Sequence, residues 1–416
     1  MRANCSPKAT PLEIFKAVVY FFVWMLKTYR YRIYPSKSQA RAIDEAIEKC
    51  RELYNKLLAL KKCVYKKEGT NLSRKDLYKI VKGDKEIYSQ VSQNVANRID
   101  KAYRNFFARV KRGEKEKGFP KFKKYGVYRS ITLPQVINPE YAGKKAYFPK
   151  IGWLNVKYHR STEGTPKTLT IKKAKSGKYF ITVCCDAVPK ETIETGNGEV
   201  GLDLGLNHFI VTSDGEFFDH PKPMKKLSEK RKLLARRFSK TKKKSSNRNK
   251  AKIKLAKIDE RMANARNDFG WNACIALIKK YSTSYVENLN VRSMVKNRRF
   301  AGAIMDVSWS DFTQKLCFKA ESAGGKVVKV NPKNTSQLCS ECGRIAKKAL
   351  SIRTHACPYC GLELDRDLNA ARNIPVRGIG LERPNFKPVG VEVSVDGASP
   401  KQASPMNQEV HCFSRG

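Results

Sequence analysis

The period of the hydrophobic pattern changes along the chain, and each change predicts a different kind of element. Residues 27–34 alternate basic with aromatic or apolar side chains, which predicts a strand with one basic face. From Ser38 to about Arg112 the apolar residues recur at helical spacing, so a helical block is expected. Residues 129–186 contain short apolar runs between Gly, Pro and Lys turns, which predict further strands. We expect the first strand to join this later sheet, with the helical block inserted between them.

A second unit is predicted over residues 198–375. Its first strand is followed by a hairpin that turns at Asp214-Gly215. The remaining elements are two long basic helices over 224–281, a strand over 283–291, a helix over 306–323, a strand over 326–332 and a helix beginning near Asp365. Three strands, helix, strand, helix, strand, helix is the order of an RNase H-like domain, so the predicted class is α+β with several domains.

The charge of the chain narrows the possible partners. Lys and Arg total 84 against 38 Asp and Glu, a formal net charge of +46. An enzyme acting on small neutral substrates gains nothing from this excess, because self-repulsion costs stability. Binding to a polyanion offsets this loss of stability, because it releases the counterions that the polyanion carries. The charge therefore indicates a nucleic-acid partner. The 41% hydrophobic content is enough for folded domains with buried cores, so the chain is not expected to be a disordered protein.

Three acids occupy notable positions in the predicted second unit. Asp203 lies within the apolar strand Val200–Gly205, Glu287 ends the apolar run Ser284–Val286, and Asp367 lies at the start of the last helix. Any one of them could simply pair with a lysine or favour a helix N-terminus. Three converging carboxylates would repel each other without cations between them. They are therefore candidates for a two-metal phosphodiester hydrolysis site, with Mg²⁺ or Mn²⁺ activating water and stabilising the leaving oxygen.

Four of the twelve cysteines form two CxxC pairs, each followed directly by glycine. Two such pairs supply four thiolates with tetrahedral reach, which predicts one structural Zn²⁺. The other eight cysteines suggest no disulfide framework, which favours a reducing compartment. The predicted ligands are Cys339, Cys342, Cys357 and Cys360.

Two basic segments are candidate nucleic-acid contacts. Residues 225–257 form the densest basic run and are predicted to be an amphipathic hairpin with one cationic face. Residues 111–124 interleave lysines with aromatic residues, a pattern that suits phosphates and stacked bases, although a solvated linker has the same composition. The residues expected to contact nucleic acid are Arg236, Arg237, Lys242, Lys243, Lys244, Lys121 and Lys123.

The apolar run Ile14–Leu26 is too short for a transmembrane helix and lacks a signal-peptide cleavage site. We interpret Met25 as the start of translation and residues 1–24 as an atypical extension. The alternative is an anchor on the membrane surface.

Several segments resemble the signatures of TnpB, the transposon-encoded protein long labelled an OrfB-type transposase and related to type V CRISPR effectors. They are GLDLGLNHFIVTSDG, YVENLNVRSM, NPKNTSQLCSECG and CGLELDRDLNAARNI. The resemblance extends from about Met25 to Pro375. One departure is Phe269–Asn272, where family members often carry a His-Lys pair.

The resemblance implies an RNA-guided DNA endonuclease of a prokaryotic cytoplasm, associated with the nucleoid and not stably with a membrane. Its partners would be a guide RNA derived from the transposon end and a target DNA. Asp203, Glu287 and Asp367 would be the RuvC-type catalytic acids, with Asp365 as the alternative to Asp367. Two rival functions stay open, namely a DNA strand transferase and a nuclease-dead, guide-bound repressor.

The expected organisation combines a β-barrel (wedge) carrying a helical insert with an RNase H-like (RuvC) α/β domain carrying an inserted zinc ribbon. The predicted segments are the extension 1–24, the first barrel strand 25–36, the helical recognition insert 37–125, the barrel 126–197, the first nuclease part 198–332 with its basic hairpin 224–281, the zinc-binding insert 333–364, the last nuclease helix 365–377 and a disordered tail 378–416.

Overall fold

The structure is a computed structural model that describes residues 24–136, 144–189, 193–220, 223–349 and 352–380. The chain divides into two compact units. The first takes the residues up to Lys190 together with Lys244–Lys257, and the second takes Glu191–Lys243 and the residues from Ile258 onward. Each unit has its own buried apolar core, so the fold is α+β with a separate sheet in each unit.

The two chain ends for which the sequence made predictions, 1–24 and 378–416, lie mostly outside the described residues. Of the extension 1–24, only Trp24 is described, and it begins the first strand. Of the predicted tail 378–416, the description covers only 378–380. None of the described helices combines the length and the apolar character that a membrane-crossing helix needs.

The first unit is built on an antiparallel sheet of six strands. They are β1 (Trp24–Tyr34), β2 (Ser130–Leu133), β3 (Lys145–Phe148), β4 (Gly152–Lys157), β5 (Thr165–Lys173) and β6 (Tyr179–Pro189), arranged in the order β2-β5-β6-β1-β4-β3. The strand predicted at 27–34 is therefore central to the sheet. Its alternation places Tyr29, Tyr31 and Ile33 in the core. Arg30 points to the other face, where its guanidinium lies 3.9 Å from the ring centre of Phe180.

This sheet differs from the closed barrel expected from the sequence. Within the described residues its edge strands β2 and β3 do not pair with each other, so it is a half-barrel. The alternating patterns of an open and a closed sheet are the same, because both need one buried face.

Three helices contribute buried residues to the same core as this sheet. They are α1 (Lys37–Glu68), α2 (Arg74–Val81) and α3 (Ser89–Lys111). Ser36 and Gln39 form a reciprocal capping box at the start of α1, and Gly69 ends the helix in the left-handed conformation with φ 67°. Apolar residues at helical spacing on α1 join the core of the sheet, including Ile43, Ile47, Tyr54, Leu57 and Leu58.

The second unit contains a five-stranded mixed sheet. Its strands are β7 (Gly198–Asp203), β8 (Ile210–Thr212), β9 (Phe217–Phe218), β10 (Tyr281–Glu287) and β11 (Lys326–Val330), in the order β11-β10-β7-β8-β9. The first three strands are antiparallel, whereas β10 runs parallel to both β7 and β11. The hairpin turns at the predicted Asp214-Gly215, where Gly215 has φ 86° and its N–H donates to the Thr212 carbonyl at 3.0 Å.

Six helices are described from residue 223 onward. They are α4 (Pro223–Ser239), α5 (Ser246–Lys280), α6 (Val291–Met294), α7 (Arg298–Val307), α8 (Trp309–Ser322) and α9 (Arg366–Gly378). The helix predicted over 306–323 is confirmed over 306–307 and 309–322, but the segment belongs to two helices. Ser308 adopts φ 58°, which ends α7 before α8 begins. The strand predicted over 283–291 ends early, at Glu287, because the Asn290 side chain caps α6.

A small hairpin of β12 (Thr354–Ala356) and β13 (Glu363–Asp365) stands between β11 and α9. Thr354 pairs with Asp365, so the hairpin leads directly into the first residue of α9. The second CxxC pair, Cys357 and Cys360, therefore lies in the turn of the hairpin that leads into the last helix.

Candidate functional site

Two of the three predicted acids lie at the same end of neighbouring parallel strands. Leu202 of β7 is opposite Val286 of β10. The next residue of each strand is an acid, Asp203 and Glu287, so the two acids are neighbours at the carboxyl ends of their strands. This edge is where open sheets with parallel strands usually carry their functional groups.

The third acid comes from the first turn of α9. The Asp365 carboxylate accepts hydrogen bonds from the backbone N–H groups of Asp367 at 2.8 Å and Leu368 at 3.2 Å, so it caps the helix. Asp367 is buried, and its charge acts on Asp203. Because Asp365 is committed to the cap, the geometry favours Asp367 over Asp365 as the third acid.

A glycine allows α9 to approach the sheet. A Cβ at Gly201 of β7 would lie 2.1 Å from the Ala371 carbonyl oxygen and 2.5 Å from Pro375 Cδ. No side chain fits there, since real Cβ contacts are never so short. Glycine beside an acid in a strand can let a phosphate or metal approach the backbone. At Gly201 the space belongs instead to α9, which brings Asp367 to the strand that carries Asp203.

Asp203, Glu287 and Asp367 together form what we call the carboxylate centre. Burial raises the pKa of Asp203 well above its usual range, and the negative charges of Glu287 and Asp367 raise it further. The positive charges of Arg366 and Arg353 oppose this effect. Glu287 and Asp367 are thus close enough to disfavour the ionisation of Asp203. Their oxygens are the ligands that Mg²⁺ and Mn²⁺ prefer, so the donor set fits a divalent cation.

Glu287 is held by two groups that the sequence does not single out. Thr335 donates its hydroxyl to Glu287 Oε1 at 2.5 Å. Burial raises the pKa of Glu287, while this hydrogen bond and the charge of Arg377 act in the opposite direction. Thr335 follows β11 and Arg377 lies near the end of α9, so only the folded sheet brings them to the acid.

Asp367 has an ion-pair partner that was also not predicted. Arg353, just before β12, donates through Nη2 to Asp367 Oδ2. No motif marks Arg353 in the sequence, because an arginine before a cysteine hairpin has many possible partners. In the part of the chain that the structure describes, the three carboxylates do not all bring an oxygen close enough to the others to share one ion.

The four predicted zinc ligands do form such a group, which we call the thiolate cluster. The sulfur atoms of Cys339, Cys342, Cys357 and Cys360 all lie within 4.8 Å of one another. The Cys339–Cys360 and Cys342–Cys357 sulfur pairs are each 3.6 Å apart. Tetrahedral zinc with bonds of about 2.3 Å would hold sulfurs roughly 3.8 Å apart. Four sulfur donors at this spacing could bind a structural zinc ion.

Each CxxC pair is shaped by its following glycine. Gly343 has φ 71° and donates its N–H to the Cys339 carbonyl at 3.1 Å. Gly361 has φ 75° and donates in the same way to Cys357 at 3.0 Å. Burial acts to raise the pKa of the Cys357 thiol, but backbone N–H groups of Tyr359 and Cys360 outweigh it and bring that pKa to about 7. At Cys357 the loop thereby favours a thiolate, the form that binds metal, whereas burial raises the pKa of the Cys339 thiol to about 12 and also raises the pKa of Cys342.

The nucleic-acid contacts predicted in the basic run 225–257 lie on α4 and in the loop between α4 and α5. Arg236 and Arg237 are exposed on α4, and Lys242, Lys243 and Lys244 are exposed in the loop that precedes α5. The apolar stripe predicted for α4 is half-buried at Leu227, Leu234 and Phe238. The arrangement leaves the basic residues accessible, as a phosphate-binding surface requires.

The loop that follows α3, within the basic segment 111–124, is hydrogen-bonded to α1 and is therefore not a solvated linker. Asn55 donates to the Lys123 carbonyl at 3.0 Å and accepts from the Lys123 N–H at 2.8 Å. Lys62 lies 4.7 Å from the ring centre of Phe122. Lys121 is exposed, whereas Lys123 is half-buried with its ammonium over Tyr54. Of the two predicted contacts in this loop, Lys121 is thus the more accessible.

Three family models match the chain. The "Probable transposase" model of the OrfB type matches residues 182–298, the "Cas12f1-like, TNB domain" model matches 309–374, and a "Helix-turn-helix domain" model matches 25–70. Within 25–70 the structure contains strand β1 and the single long helix α1, not two helices joined by a turn.

Similar proteins agree with these matches. The chain is 29% identical to "Putative RNA-guided DNA endonuclease InsQ" of Escherichia coli K12, over 71% of this chain and 75% of the relative. It is 26% identical to "Putative RNA-guided DNA endonuclease" of Streptomyces pristinaespiralis, over 85% and 89% of the two chains. The protein in a cryo-EM structure of a Cas12f1–sgRNA–target DNA complex has a similar fold, with a TM-score of 0.53 at 15% identity over 84% of this chain and 98% of that one.

The sheet and helix that carry the acids, the inserted cysteine pairs and these matches make the chain similar to OrfB-type transposases of insertion elements. Together the family matches and the named relatives support a TnpB-type protein.

Proposed function

We propose that the chain is a transposon-encoded, RNA-guided DNA endonuclease with an RNase H-like (RuvC) nuclease domain in its second unit. The observation that carries this proposal is the carboxylate centre, in which β7, β10 and α9 bring together three acids, two of which raise the pKa of the third, Asp203. A mixed sheet of order β11-β10-β7-β8-β9 also supports the RNase H-like assignment. The printed names of the relatives from E. coli and S. pristinaespiralis support RNA guidance and DNA cleavage.

Asp203, Glu287 and Asp367 would hold Mg²⁺ or Mn²⁺ through their carboxylate oxygens. When bound, the cations would supply activation of water and charge stabilisation at the scissile phosphate. Asp365 keeps the first turn of α9 formed, and Thr335 orients Glu287 by its hydrogen bond. The close contact between Gly201 and α9 fixes the distance between the strand and the helix, which is the precision that such a site requires.

The thiolate cluster would hold one Zn²⁺ in a closed structural site, since four cysteines leave no position for a substrate. The basic residues of α4 and the following loop, together with Lys121, would bind the phosphates of a guide RNA and its DNA target. A guide from the transposon end is the proposed source of sequence specificity.

The test is programmed cleavage by the purified protein. RNA that copurifies is sequenced, its target-pairing part is replaced by a chosen sequence, and the complex is given matched and mismatched DNA with Mg²⁺ or with EDTA. We expect cuts only in the matched DNA and only with Mg²⁺. Joined DNA products from a multimer would instead indicate a strand transferase. Stable binding without cuts, at saturating Mg²⁺ or Mn²⁺, would indicate a repressor.

A further inference from the structure

The ion pair between Arg353 and Asp367 joins a buried carboxylate to an accessible guanidinium. The Asp367 side chain is 12% exposed and the Arg353 side chain is 43% exposed. The backbone of Asp367 is fixed by the Asp365 cap. The arginine is therefore the member of the pair that can leave without disturbing the helix.

The backbone of Arg353 connects the thiolate cluster to α9. Its carbonyl accepts the N–H of Arg366, the first residue of α9, at 2.7 Å. Its next residue, Thr354, begins the hairpin that leads to Cys357. A side chain placed by this hairpin thus reaches the carboxylate centre of the same unit.

The charge of Arg353 acts on two of the three acids. It pairs with Asp367 and also favours the ionised form of Asp203. A divalent cation held by these acids would place its charge in the same region. The guanidinium and the cation are both positively charged, so they repel each other and compete for Asp367 Oδ2.

We propose that Arg353 is a positioning residue that holds Asp367 until a divalent cation displaces it from Oδ2. The proposal rests on the proposed function, because it takes Asp367 to be a metal ligand. Arg353 lowers the affinity of the carboxylate centre for the cation, and the cysteine hairpin thereby influences metal binding at a site that contains none of its cysteines.

The test is a Mn²⁺ titration of the full-length, zinc-loaded protein without nucleic acid, followed by the EPR signal of free Mn²⁺. Arg353→Gln removes the competing guanidinium, so we expect binding tighter by about three- to fivefold, the range expected for a partly exposed ion pair. Arg353→Lys, whose compact ammonium makes no planar contact, should bind more tightly than the unmodified protein but less tightly than Arg353→Gln.

The matched control is Arg344→Gln, which removes an arginine of the same insert that stacks 5.0 Å from the ring centre of Tyr359. Its Mn²⁺ affinity should stay within about twofold of the unmodified protein, because surface charges at a distance are screened. Zinc content and thermal unfolding of each variant verify that the hairpin is intact. If the Arg353→Gln variant loses zinc, the Mn²⁺ affinity of the Arg353→Lys variant is compared with that of the unmodified protein instead.

Equal Mn²⁺ affinities for the unmodified protein and the Arg353 variants overturn the inference and leave the proposed function standing. If Asp367→Asn leaves Mn²⁺ binding unchanged, or if the unmodified protein binds no Mn²⁺, the proposed function itself is overturned. A tighter Arg353→Gln complex with an unchanged Arg344→Gln complex supports the inference.

Discussion

The carboxylate centre and the thiolate cluster both collect groups that repel one another when ionised, but their geometry has different origins. The thiols come from two four-residue loops of one short insert, and backbone hydrogen bonds within each loop place the sulfurs. The acids come from β7, β10 and α9, which are far apart along the chain. The thiolate geometry is a property of the motif, whereas the carboxylate geometry is a property of the whole sheet and of its packing against α9.

This difference predicts different kinds of damage. A change at a thiol should disturb the local insert first and activity second. A change at an acid should remove activity while leaving the fold in place, and at Asp203 it should even favour folding, because burial disfavours the ionised form of that carboxyl.

The largest effect is expected at the acids. Asp203→Ala, Glu287→Ala and Asp367→Ala should each reduce DNA cleavage by roughly 100- to 1000-fold or more, because each removes a metal ligand and its charge. Binding of guide and target should be nearly unchanged. Cleavage rates and filter-binding affinities at saturating Mg²⁺ measure both quantities, and a parallel loss of binding would contradict the assignment.

Asp365 provides the matched comparison, since it lies two residues from Asp367 and serves the helix instead. Asp365→Ala should lower the free energy of unfolding by about 1 kcal/mol through loss of the cap. Cleavage should persist at temperatures where the variant is folded. A dead Asp365→Ala protein together with an active Asp367→Ala protein would reverse the assignment of the third acid.

At the thiolate cluster, the protein should contain about one zinc ion per chain, and Cys357→Ser should lose it. Structural zinc contributes on the order of 10 kcal/mol in small zinc domains, so the insert should unfold and the N-terminus of α9 should lose its hairpin. Metal analysis and thermal unfolding measure the change. Cys63→Ser, at an exposed cysteine of α1 outside the cluster, is the control and should retain zinc.

The pKa of Asp203 gives a prediction for pH. Its folded-state pKa is raised, so its contribution to stability is present at low pH and is lost as pH rises from the ordinary carboxyl range through the raised value. Asp203→Asn should therefore stabilise the metal-free protein at neutral pH, with about 2–4 °C in Tm for each kcal/mol gained, and the gain should vanish at low pH. Calorimetry across pH in EDTA tests this, and an unchanged Tm at neutral pH would contradict it.

The smallest effect is expected at the basic loop between α4 and α5. Changing Lys242, Lys243 and Lys244 to Gln should weaken nucleic-acid binding and flatten its salt dependence by about one unit for each lost phosphate contact. The lysines are exposed and lie outside both helices, so zinc content should stay the same. Affinities measured over a salt series decide the matter, and identical slopes would mean that the loop faces solvent in the complex.

The local motifs explain which parts of the site could be predicted. The spacing of the CxxC pairs and their glycines was sufficient to identify the thiolate cluster, because the geometry lies within a few residues. The acids were predicted from their places at strand ends and at a helix start. Thr335 and Arg353 were missed, since their partners are set by tertiary packing. The break at Ser308 was missed because a left-handed serine has no sequence signal, unlike a left-handed glycine.

The contact between Gly201 and α9 has a consequence for the order in which the chain is synthesised. β7 is made early, and the helix that packs on it and supplies Asp367 is made last among the described elements. A ribosome that has completed the first four strands of the second sheet has not yet produced the third acid. The nascent protein therefore lacks a complete carboxylate centre until α9 has emerged, and a truncated product that ends before α9 would carry Asp203 and Glu287 without Asp367.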